Sequence, residues 1–429
     1  MTRVAELWSA DVAPKVRSWW TARRTAVLPT AVALLSACAL LKMGEGFWRL
    51  LLAPSPPGAG DLGFRYAEVQ QWFAGTAVYR HSPLAVYPPA SYPMFWPLVG
   101  WLPYTQARWL WALTAALGLA SLAWMLVKAS GAQDRLQRAL VVLLLLSMNA
   151  TGLAVGNGQL ILHLLPASLA GVLIVRQGRG GWGEDLLVAL LLLITMVKPT
   201  DAVPFFWLAL FFGERLRPLV LLGIGYLAIT LLGAWLQPVP LGSLLADWLV
   251  NCARVSERGC ANLHTWLSAL GLSRWYLPAS FSVLLALGAW SYRYRNADPW
   301  ILLGVTAAVT RIWTHHLAYD DVLMVVPMLA LFRIVQRGPY TDGADVLAAL
   351  LLAPIVVVML TPETVRHLRA PWPFLFSLEH VAVWIPMVIF LVDRARRDTV
   401  AYRMLSAQSR EDAQPNLIAI HSSQAVKSV

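Results

Sequence analysis

The sequence predicts an all-α protein that crosses a membrane many times, and three observations support this prediction. Only 13% of the 429 residues are charged, whereas soluble domains carry about a quarter. Long apolar runs recur between residues 27 and 392, as membrane-spanning helices require. Tryptophan is frequent, with 21 copies, and many lie near the ends of these runs, where aromatic side chains anchor helices at the membrane surface.

The net charge of +11 does not indicate a nucleic-acid partner. Lys and Arg in membrane proteins mostly mark cytoplasmic loops, and no basic patch interleaved with stacking aromatics lies outside the apolar runs. We therefore expect membrane lipids, and no nucleic acid, among the partners. Three cysteines are too few for a disulfide framework, although a bond between Cys252 and Cys260 stays open.

The first apolar run follows a basic leader, residues 1–26. The run contains "LSAC", ending at Cys38, which resembles a lipoprotein cleavage site. The leader is long, however, and the run continues to Met43, which favours an uncleaved signal anchor with a cytoplasmic N-terminus.

The apolar runs predict about twelve spans, several of them shorter than the ~20 residues of a straight membrane helix. They lie at 27–43, 106–127, 139–155, 159–175, 186–200, 201–212, 218–236, 279–292, 299–313, 322–335, 345–360 and 377–392. The run 186–212 is interrupted by "KPT". Because Pro199 disfavours helix at Lys198, we predict two helices joined in a tight hairpin there.

The distribution of charge sets the orientation. With this hairpin, most of the 34 Lys and Arg residues fall in inner segments, as the positive-inside rule requires. Reversing the chain after residue 200 would place "RYR", "RIVQR" and "DRARR" outside. We therefore predict one transmembrane domain, 27–392, and a cytoplasmic tail, 393–429, that is polar and disordered.

The segment 86–104 is apolar but contains five prolines in "VYPPASYPMFWPLVGWLPY". If it crossed the membrane, every later loop would change sides and the charge bias would reverse. We predict an interfacial or re-entrant segment on the outer side, within the first outer loop, 44–105.

In this topology the polar clusters that interrupt apolar sequence all fall on the outer face. They are "GDLGFRYAE" (60–68), "GNGQ" (156–159), "KPTD" (198–201), "ANLHTW" (261–266, in the outer loop 237–278) and "RIWTHHLAYDD" (311–321). Ionisable groups at membrane depth are costly and usually face a cavity. Five such clusters on one face predict a single outward-facing site in the cell membrane.

Several of these residues also fit a structural role. Asp61 precedes an amphipathic stretch and could be a helix N-cap. The glycines of "GNGQ" fit a tight turn, Lys198 could extend to lipid headgroups, and His264 fits an ordinary loop residue.

A metal site at His315 and His316 is not favoured, because adjacent histidines point to different sides of a helix. A magnesium or manganese site at Asp320 and Asp321 stays open. A proton relay would need ionisable groups through the depth of the membrane, and the predicted spans have almost none.

A carboxylate, several cations and an imidazole at one membrane face suit a reaction at a lipid phosphate. Arg, Lys and His can hold a phosphate and stabilise its charge as it leaves, and a carboxylate opposite can take a proton from an attacking hydroxyl. Nucleotide sugars are cytoplasmic, so sugar transfer on the outer face would use a polyprenyl-phosphate donor and invert the anomeric centre, as in single-displacement glycoside hydrolysis.

Four segments resemble one family, in the same order. "GDLGFRYAEVQQWFAGTAVYR…VYPPASYPMFWPL" is similar to the first-loop signature of the GT-C polyprenol-phosphate glycosyltransferases of family 87. "GNGQLILHLLPASLAG", "LLITMVKPTDAVPFFWLAL" and "WTHHLAYDDVLMVVP" resemble that family's Gly-Gln, Lys-Pro and Ser/Thr-His-His segments. The similarity covers roughly residues 27 to 392, whereas "CANLHTWLSALGL" only loosely matches the family pattern and "YDD" is more acidic than it.

The resemblance implies a GT-C-like fold and Asp61 as catalytic base, with the histidine segment as the site of the donor phosphate. It also implies a mannose or arabinofuranose donor, a glycolipid or glycan acceptor, and no required metal or other cofactor. We expect His315 and Arg311 to bind the donor phosphate, with Arg65 and Lys198 as further candidates. Residues expected to bind the substrates are His316, Gln159, Asn157, His264, Tyr87, Asp320 and Asp321. Of these, His316, Asp320 or Asp321 would also orient His315 and Arg311.

Two other functions fit the same outer cations. A lipid-linked sugar flippase or other transporter would need a matching polar site on the inner face or charges in mid-membrane, which the sequence lacks. The other function is a different outer-leaflet lipid-phosphate transferase, such as a polymerase or a phosphoethanolamine-type enzyme. The latter would need a Thr or Ser nucleophile beside a metal cluster; Thr314 is near, but without convincing ligands.

Overall fold

The computed structural model describes residues 12–54, 58–178, 180–213, 215–256, 261–361 and 380–400. In these ranges the chain is helical and contains no strand, which confirms the all-α prediction. Cys260 and the tail beyond residue 400 lie outside the described residues, so the Cys252–Cys260 bond and the disordered tail stay predictions.

The helices follow the predicted apolar runs, with boundaries shifted by a few residues in most cases. They are α1 (Ala13–Leu51), α2 (Gly60–Phe73), α3 (Val78–His81), α4 (Ser91–Phe95), α5 (Tyr104–Ser130), α6 (Arg135–Ser147), α7 (Asn149–Asn157), α8 (Ile161–Gln177), α9 (Trp182–Thr195), α10 (Pro199–Gly213), α11 (Arg217–Trp235), α12 (Leu241–Ser256), α13 (Leu263–Ala269), α14 (Tyr276–Arg293), α15 (Pro299–Ile312), α16 (Val325–Arg337), α17 (Ala344–Leu360) and α18 (380–400).

Three helices in the described ranges are long and apolar enough to cross a membrane, namely α1, α5 and α11. The pair α6 and α7, which is bent by 53°, adds a fourth if it is counted as one span. These helices expose large apolar side chains such as Leu40 and Leu117, as a lipid-facing surface requires. By length and composition these helices could cross a membrane, which indicates membrane association, and the count of twelve spans stays a prediction.

The end of α1 is held by Arg108, a buried cation at the start of α5. Its guanidinium donates to the backbone oxygens of Arg49, Leu50 and Ala53, at 3.0, 2.5 and 2.8 Å. The last carbonyls of a helix lack partners within it and carry partial negative charge, so a cation at this position stabilises the helix end. The contact also fixes the point at which the chain turns towards α2.

The proline-rich segment 86–104 forms only short helical turns. α4 has five residues and is followed by a five-residue π-helical turn, Trp96–Gly100. Neither is long enough to span a membrane. The segment is tied to its neighbours by the Trp72–Tyr92 ring stack at 4.1 Å and by Ser91, whose hydroxyl donates to Val197 O at 2.7 Å. Its re-entrant position stays a prediction.

The segments predicted to be cytoplasmic meet in ion pairs, here called the arginine–aspartate network. The network pairs Arg17 with Asp345, Arg333 and Arg337 with Asp298, and Arg394 and Arg397 with Asp342. Arg333 also donates to Ala129 O at the end of α5. Five segments far apart in sequence thus lie on one side of the protein, as the charge distribution predicts.

Candidate functional site

Asp61 lies in the first turn of α2, but it does not cap that helix. The residue before the helix is Ala59, in the left-handed region at φ 51°, and no side chain caps the turn. Asp61 instead accepts a hydrogen bond at Oδ2 from Gln159 Nε2, which joins α2 to the end of α7. The N-cap alternative for Asp61 is therefore wrong, because the carboxylate contacts another part of the chain.

The "GNGQ" turn positions Gln159 for this contact. Gly158 ends α7 at φ 71°, a conformation that favours glycine. A Cβ on Gly158 would lie only 2.6 Å from Leu62 Cβ. The Ala59 backbone N–H donates to Gly156 O at 3.1 Å. The glycines therefore make a tight turn, as one alternative predicted, and that turn brings Gln159 to the carboxylate.

The environment of Asp61 favours a carboxylate that accepts protons readily. Burial raises the pKa of Asp61 above its ordinary value, although Arg65 and the Gln159 hydrogen bond oppose the shift. The side chain is only half-buried. Its Oδ1 receives no hydrogen bond from the part of the chain that the structure describes. One oxygen is thus oriented by Gln159 and the other is open to a substrate proton.

Lys198 lies between α9 and α10, where the predicted break at Pro199 occurs. Its Nζ pairs with Asp320 at 2.7 Å and with Asp201 at 3.0 Å. Asp201 also accepts from His316 Nε2, at 2.9 Å. These contacts join the "KPTD" and histidine segments and fix the orientation of His316. The predicted role of His316 in orienting His315 and Arg311 stays a prediction.

His315 has a free ring nitrogen inside the protein. Its Nδ1 is buried and has no hydrogen-bond partner among the residues that the structure describes. Burial, with a smaller effect from the neighbouring His316, lowers the pKa of His315 to about 4. The ring is therefore neutral near pH 7, and it can give one hydrogen bond to a phosphate oxygen or accept one from a substrate hydroxyl.

The two halves of the site lie together. The short 3₁₀ helix Ala318–Met324, which carries Asp320, packs against α7. The charges of Lys198 and Asp320 affect the pKa of Asp61, one lowering it and the other raising it. Asn262 donates to His316 O at 3.3 Å, so the loop 261–266 also reaches the site. All five predicted polar clusters are thus brought together.

We call this group the buried polar cluster. It comprises Asp61, Arg65, Glu68, Gln159, Lys198, Asp201, Thr314, His315, His316 and Asp320. Tyr87 belongs beside it, because the Arg65 guanidinium lies over its ring at 4.7 Å.

Arg65 is held by a buried acid. Its Nη1 pairs with Glu68 at 2.5 Å, and its Nη2 donates to Leu84 O at 3.2 Å. Burial raises the pKa of Glu68 to about 7, against the opposing charge of Arg65. Arg65 is thus bonded on two sides, which favours a positioning role beside Asp61 over direct contact with a phosphate.

Four predicted site residues lie outside this cluster, namely Arg311, Asp321, His264 and Asn157. Arg311 is 1% exposed and pairs with Asp321 at 2.5 Å, beside Trp384 and His380 of α18. A phosphate would reach Arg311 only if this buried pair opened, so its role in phosphate binding stays a prediction. Both ring nitrogens of His264 contact serine hydroxyls, at 3.2 and 2.8 Å, which favours a structural role there.

Asp201, Glu68 and Tyr319 are the residues of the site that the sequence did not single out. Asp201 follows Lys198 by three positions, and Glu68 follows Arg65 by three. Opposite charges at that spacing face each other on a helix, so the spacing could have identified both. Tyr319, whose ring lies 5.9 Å from Lys198 Nζ, had no such signal.

Asp320 and Asp321 contact different parts of the protein. Each is bonded to a different cation, Lys198 and Arg311 respectively. Within the described ranges, no group of three or more His, Cys, Asp or Glu side chains is placed to hold a metal ion.

Comparison of the chain with protein-family models, with curated proteins and with solved structures finds no match. The geometry of the buried polar cluster is therefore what indicates a function for this chain. That cluster offers a half-buried base with one oxygen bonded to Gln159, a lysine held by two carboxylates, and a neutral imidazole with one nitrogen that no described residue contacts by a hydrogen bond.

Proposed function

We propose that this protein is a membrane glycosyltransferase that moves a sugar from a polyprenyl-phosphate donor to a hydroxyl of a glycolipid or glycan. One observation carries the proposal. Asp61 has a raised pKa, one oxygen held by Gln159 and the other open, and it lies in the same cluster as Lys198 and Asp320. A general base needs this combination of orientation, access and proton affinity.

The reaction is a single displacement. The acceptor hydroxyl loses its proton to Asp61 Oδ1 as its oxygen bonds to the anomeric carbon of the donor sugar. The bond from that carbon to the phosphate oxygen breaks, and polyprenyl phosphate leaves with the electron pair. The anomeric centre is inverted, because attack and departure occur on opposite faces.

The leaving phosphate is assigned to the histidine side of the cluster. The neutral His315 ring can donate one hydrogen bond to it, and Lys198 can offset its charge. Asp201 and Asp320 hold Lys198 and His316 in position rather than contacting the sugar. Mannose and arabinofuranose are the sugars that the family resemblance favours. No metal has a part in this scheme.

The proposal includes the orientation of the protein. We place twelve spans in the cell membrane, with both termini cytoplasmic and the buried polar cluster on the outer side, within a GT-C-like fold. The segregation of the arginine–aspartate network from the buried polar cluster supports this arrangement, because the network gathers the loops that carry most Arg residues.

The decisive experiment is turnover by purified Asp61→Asn protein. Synthetic polyprenyl-phosphate mannose and arabinose would be supplied with lipid extracts, and added sugars would be detected by mass spectrometry. Loss of a general base costs about 10²- to 10⁴-fold in rate. We expect a loss of that size in Asp61→Asn. Asp342→Asn, in the arginine–aspartate network, serves as the matched control and should keep near-normal turnover.

The pH profile gives an independent readout. Asp61 must be ionised to accept a proton, so the wild-type rate should fall as the pH drops through its raised pKa. Near-normal turnover by Asp61→Asn would contradict the assignment. Movement of labelled lipid across proteoliposomes without a new glycosidic product would instead indicate a flippase.

A further inference from the structure

A second group of cations lies along α1, apart from the buried polar cluster. Lys42 and Arg49 are seven residues apart, so they share one side of α1, about 10 Å from each other along the helix axis. Each donates to a side-chain amide oxygen on α7. Lys42 Nζ contacts Asn149 Oδ1 at 3.0 Å, and Arg49 Nη2 contacts Asn157 Oδ1 at 2.9 Å.

Glycines provide the surface on which these two side chains lie. A Cβ on Gly152 would be 3.5 Å from Lys42 Cβ and Cδ. A Cβ on Gly156 would be 3.4 Å from Arg49 Cβ and Cδ. The same arrangement of a cation, an amide and a glycine therefore occurs twice along the contact between α1 and α7.

The positive charge of this pair is only partly balanced. An amide orients a cation without neutralising it, and neither Lys42 nor Arg49 forms an ion pair with a carboxylate in the part of the chain that the structure describes. Glu45 lies between them in sequence, on the exposed surface of α1, so the three side chains together carry a net charge of +1. The arginines of the arginine–aspartate network, by contrast, all have carboxylate partners.

The surroundings of the pair are apolar and face outward. Leu40 and Leu41 are 76% and 73% exposed, whereas Lys42 and Arg49 are half-buried beside them. An unbalanced cation at membrane depth is costly unless an anion or water meets it. Phosphate is the anion that membrane lipids supply, and the guanidinium of an arginine matches it with two parallel hydrogen bonds.

We propose that Lys42 and Arg49 form a binding site for the phosphate of a membrane lipid, on the α1 side of Asp61. The position follows from the chain, because Asn157 is two residues before Gln159, which contacts Asp61. The phosphate can belong to a polyprenyl phosphate or to an anionic glycerophospholipid, including a phosphate-bearing acceptor. The inference goes beyond sugar transfer, because it concerns lipid binding and needs no turnover.

Native mass spectrometry of the full-length protein in detergent tests this site. The probes are a synthetic polyprenyl phosphate and dioleoyl phosphatidylglycerol, with dioleoylglycerol as the uncharged comparison. We expect Lys42→Gln/Arg49→Gln to bind one equivalent less of at least one phosphate lipid than the wild type. The variant should retain that lipid at least tenfold less well. Lys128→Gln, an exposed cation in the last turn of α5, is the matched control and should bind as the wild type does.

A second variant separates lipid binding from a purely structural tether. Asn149→Asp/Asn157→Asp keeps a hydrogen-bond acceptor for both cations but adds two negative charges. If the cations only tie α1 to α7, this variant should retain lipid like the wild type, which would overturn the proposal. If they bind phosphate, retention should fall as in the glutamine variant. The aspartate variant also tests phosphate binding if Lys42→Gln/Arg49→Gln fails to fold.

The remaining outcomes are equally clear. Unchanged retention in Lys42→Gln/Arg49→Gln would overturn the site. Loss of polyprenyl phosphate alone would identify the donor as its ligand, and loss of phosphatidylglycerol alone would identify a glycerophospholipid. Because this experiment does not measure turnover, a negative result would not affect the proposed role of Asp61 as a base. Conversely, normal turnover by Asp61→Asn would not affect the proposed lipid-phosphate site.

Discussion

The buried polar cluster and the arginine–aspartate network use similar residues in opposite ways. In the network, Arg337 and Arg397 are half-exposed, at 50% and 52%, and each reaches an aspartate. In the buried polar cluster, Lys198 is 17% exposed and faces two carboxylates that are almost fully buried. The network includes ion pairs whose arginine is half-exposed to water, whereas the cluster holds its charges largely away from water.

The difference shows which region is organised for chemistry. Exposed ion pairs contribute little to stability, about 0–1 kcal/mol each. Charges taken out of water are costly to arrange, and the buried polar cluster in addition contains His315 Nδ1 and Thr314 Oγ1 without hydrogen-bond partners in the described ranges. Stability alone would not select such an arrangement, and perturbed, partly unsatisfied groups gather at functional sites.

The largest expected effect comes from removing the central cation of the cluster. Lys198→Met keeps an unbranched side chain one atom shorter, but it leaves Asp320 without its cation and Asp201 with His316 alone. Breaking a buried pair costs about 3–5 kcal/mol. We expect a large fall in the midpoint of thermal unfolding in a fixed detergent, together with loss of turnover.

Arg397→Met is the matched change in the arginine–aspartate network. Its ion pairs with Asp342 and Asp393 are exposed, so the loss should be at most about 1 kcal/mol. Equal effects of the two substitutions would remove the distinction between the regions.

The positions of the helices and the clustering of the polar segments could be predicted from the sequence. Apolar runs and Pro199 predicted the break at Lys198, and the charge distribution predicted that the loops of the arginine–aspartate network lie together. The reason is physical: membrane depth penalises every unpaired charge, so charges mark the ends of helices.

The partners of individual side chains could not be predicted. Asp61 fits an N-cap in sequence, and only the left-handed turns at Ala59 and Gly158 show that it faces Gln159. Arg311 fits a phosphate ligand in sequence, yet Asp321, ten positions along, neutralises it in the interior. Such pairings depend on how helices pack, which periodicity and composition do not encode.

The next effect concerns pH and has opposite signs in the two regions. Glu68 has its pKa raised from 4.5 to about 7 by burial. Its contribution to stability is therefore fully present below about pH 4.5 and lost as the pH rises through 7, on the order of 3 kcal/mol in all. For Asp298, burial favours a higher pKa, but Arg333 and Arg337 outweigh it and hold the pKa below its ordinary value. Its contribution is lost as the pH falls through that lowered pKa.

Thermal unfolding from pH 3 to 8 checks both signs. Glu68→Gln should flatten the loss of stability between pH 4.5 and 7 and leave the acid side unchanged. Asp298→Asn should do the reverse. If Glu68→Gln followed the wild-type curve throughout, the buried acid would not titrate as its surroundings imply.

The smallest expected effect compares two glycines with the same backbone conformation. Gly158 beside the buried polar cluster and Gly178 at the end of α8 both have φ 71°. A Cβ on Gly178 would meet nothing within 4 Å, whereas one on Gly158 would lie 2.6 Å from Leu62 Cβ. Gly178→Ala should therefore lower the free energy of unfolding only through left-handed backbone strain, by about 1–2 kcal/mol.

Gly158→Ala should lower the free energy of unfolding by a further ~1–3 kcal/mol because of the clash with Leu62. It should also lower turnover, because relief of the clash moves α2 and separates Asp61 from Gln159. Equal stability losses, or normal turnover in Gly158→Ala, would show that the close packing of α2 on the "GNGQ" turn does not set the position of Asp61.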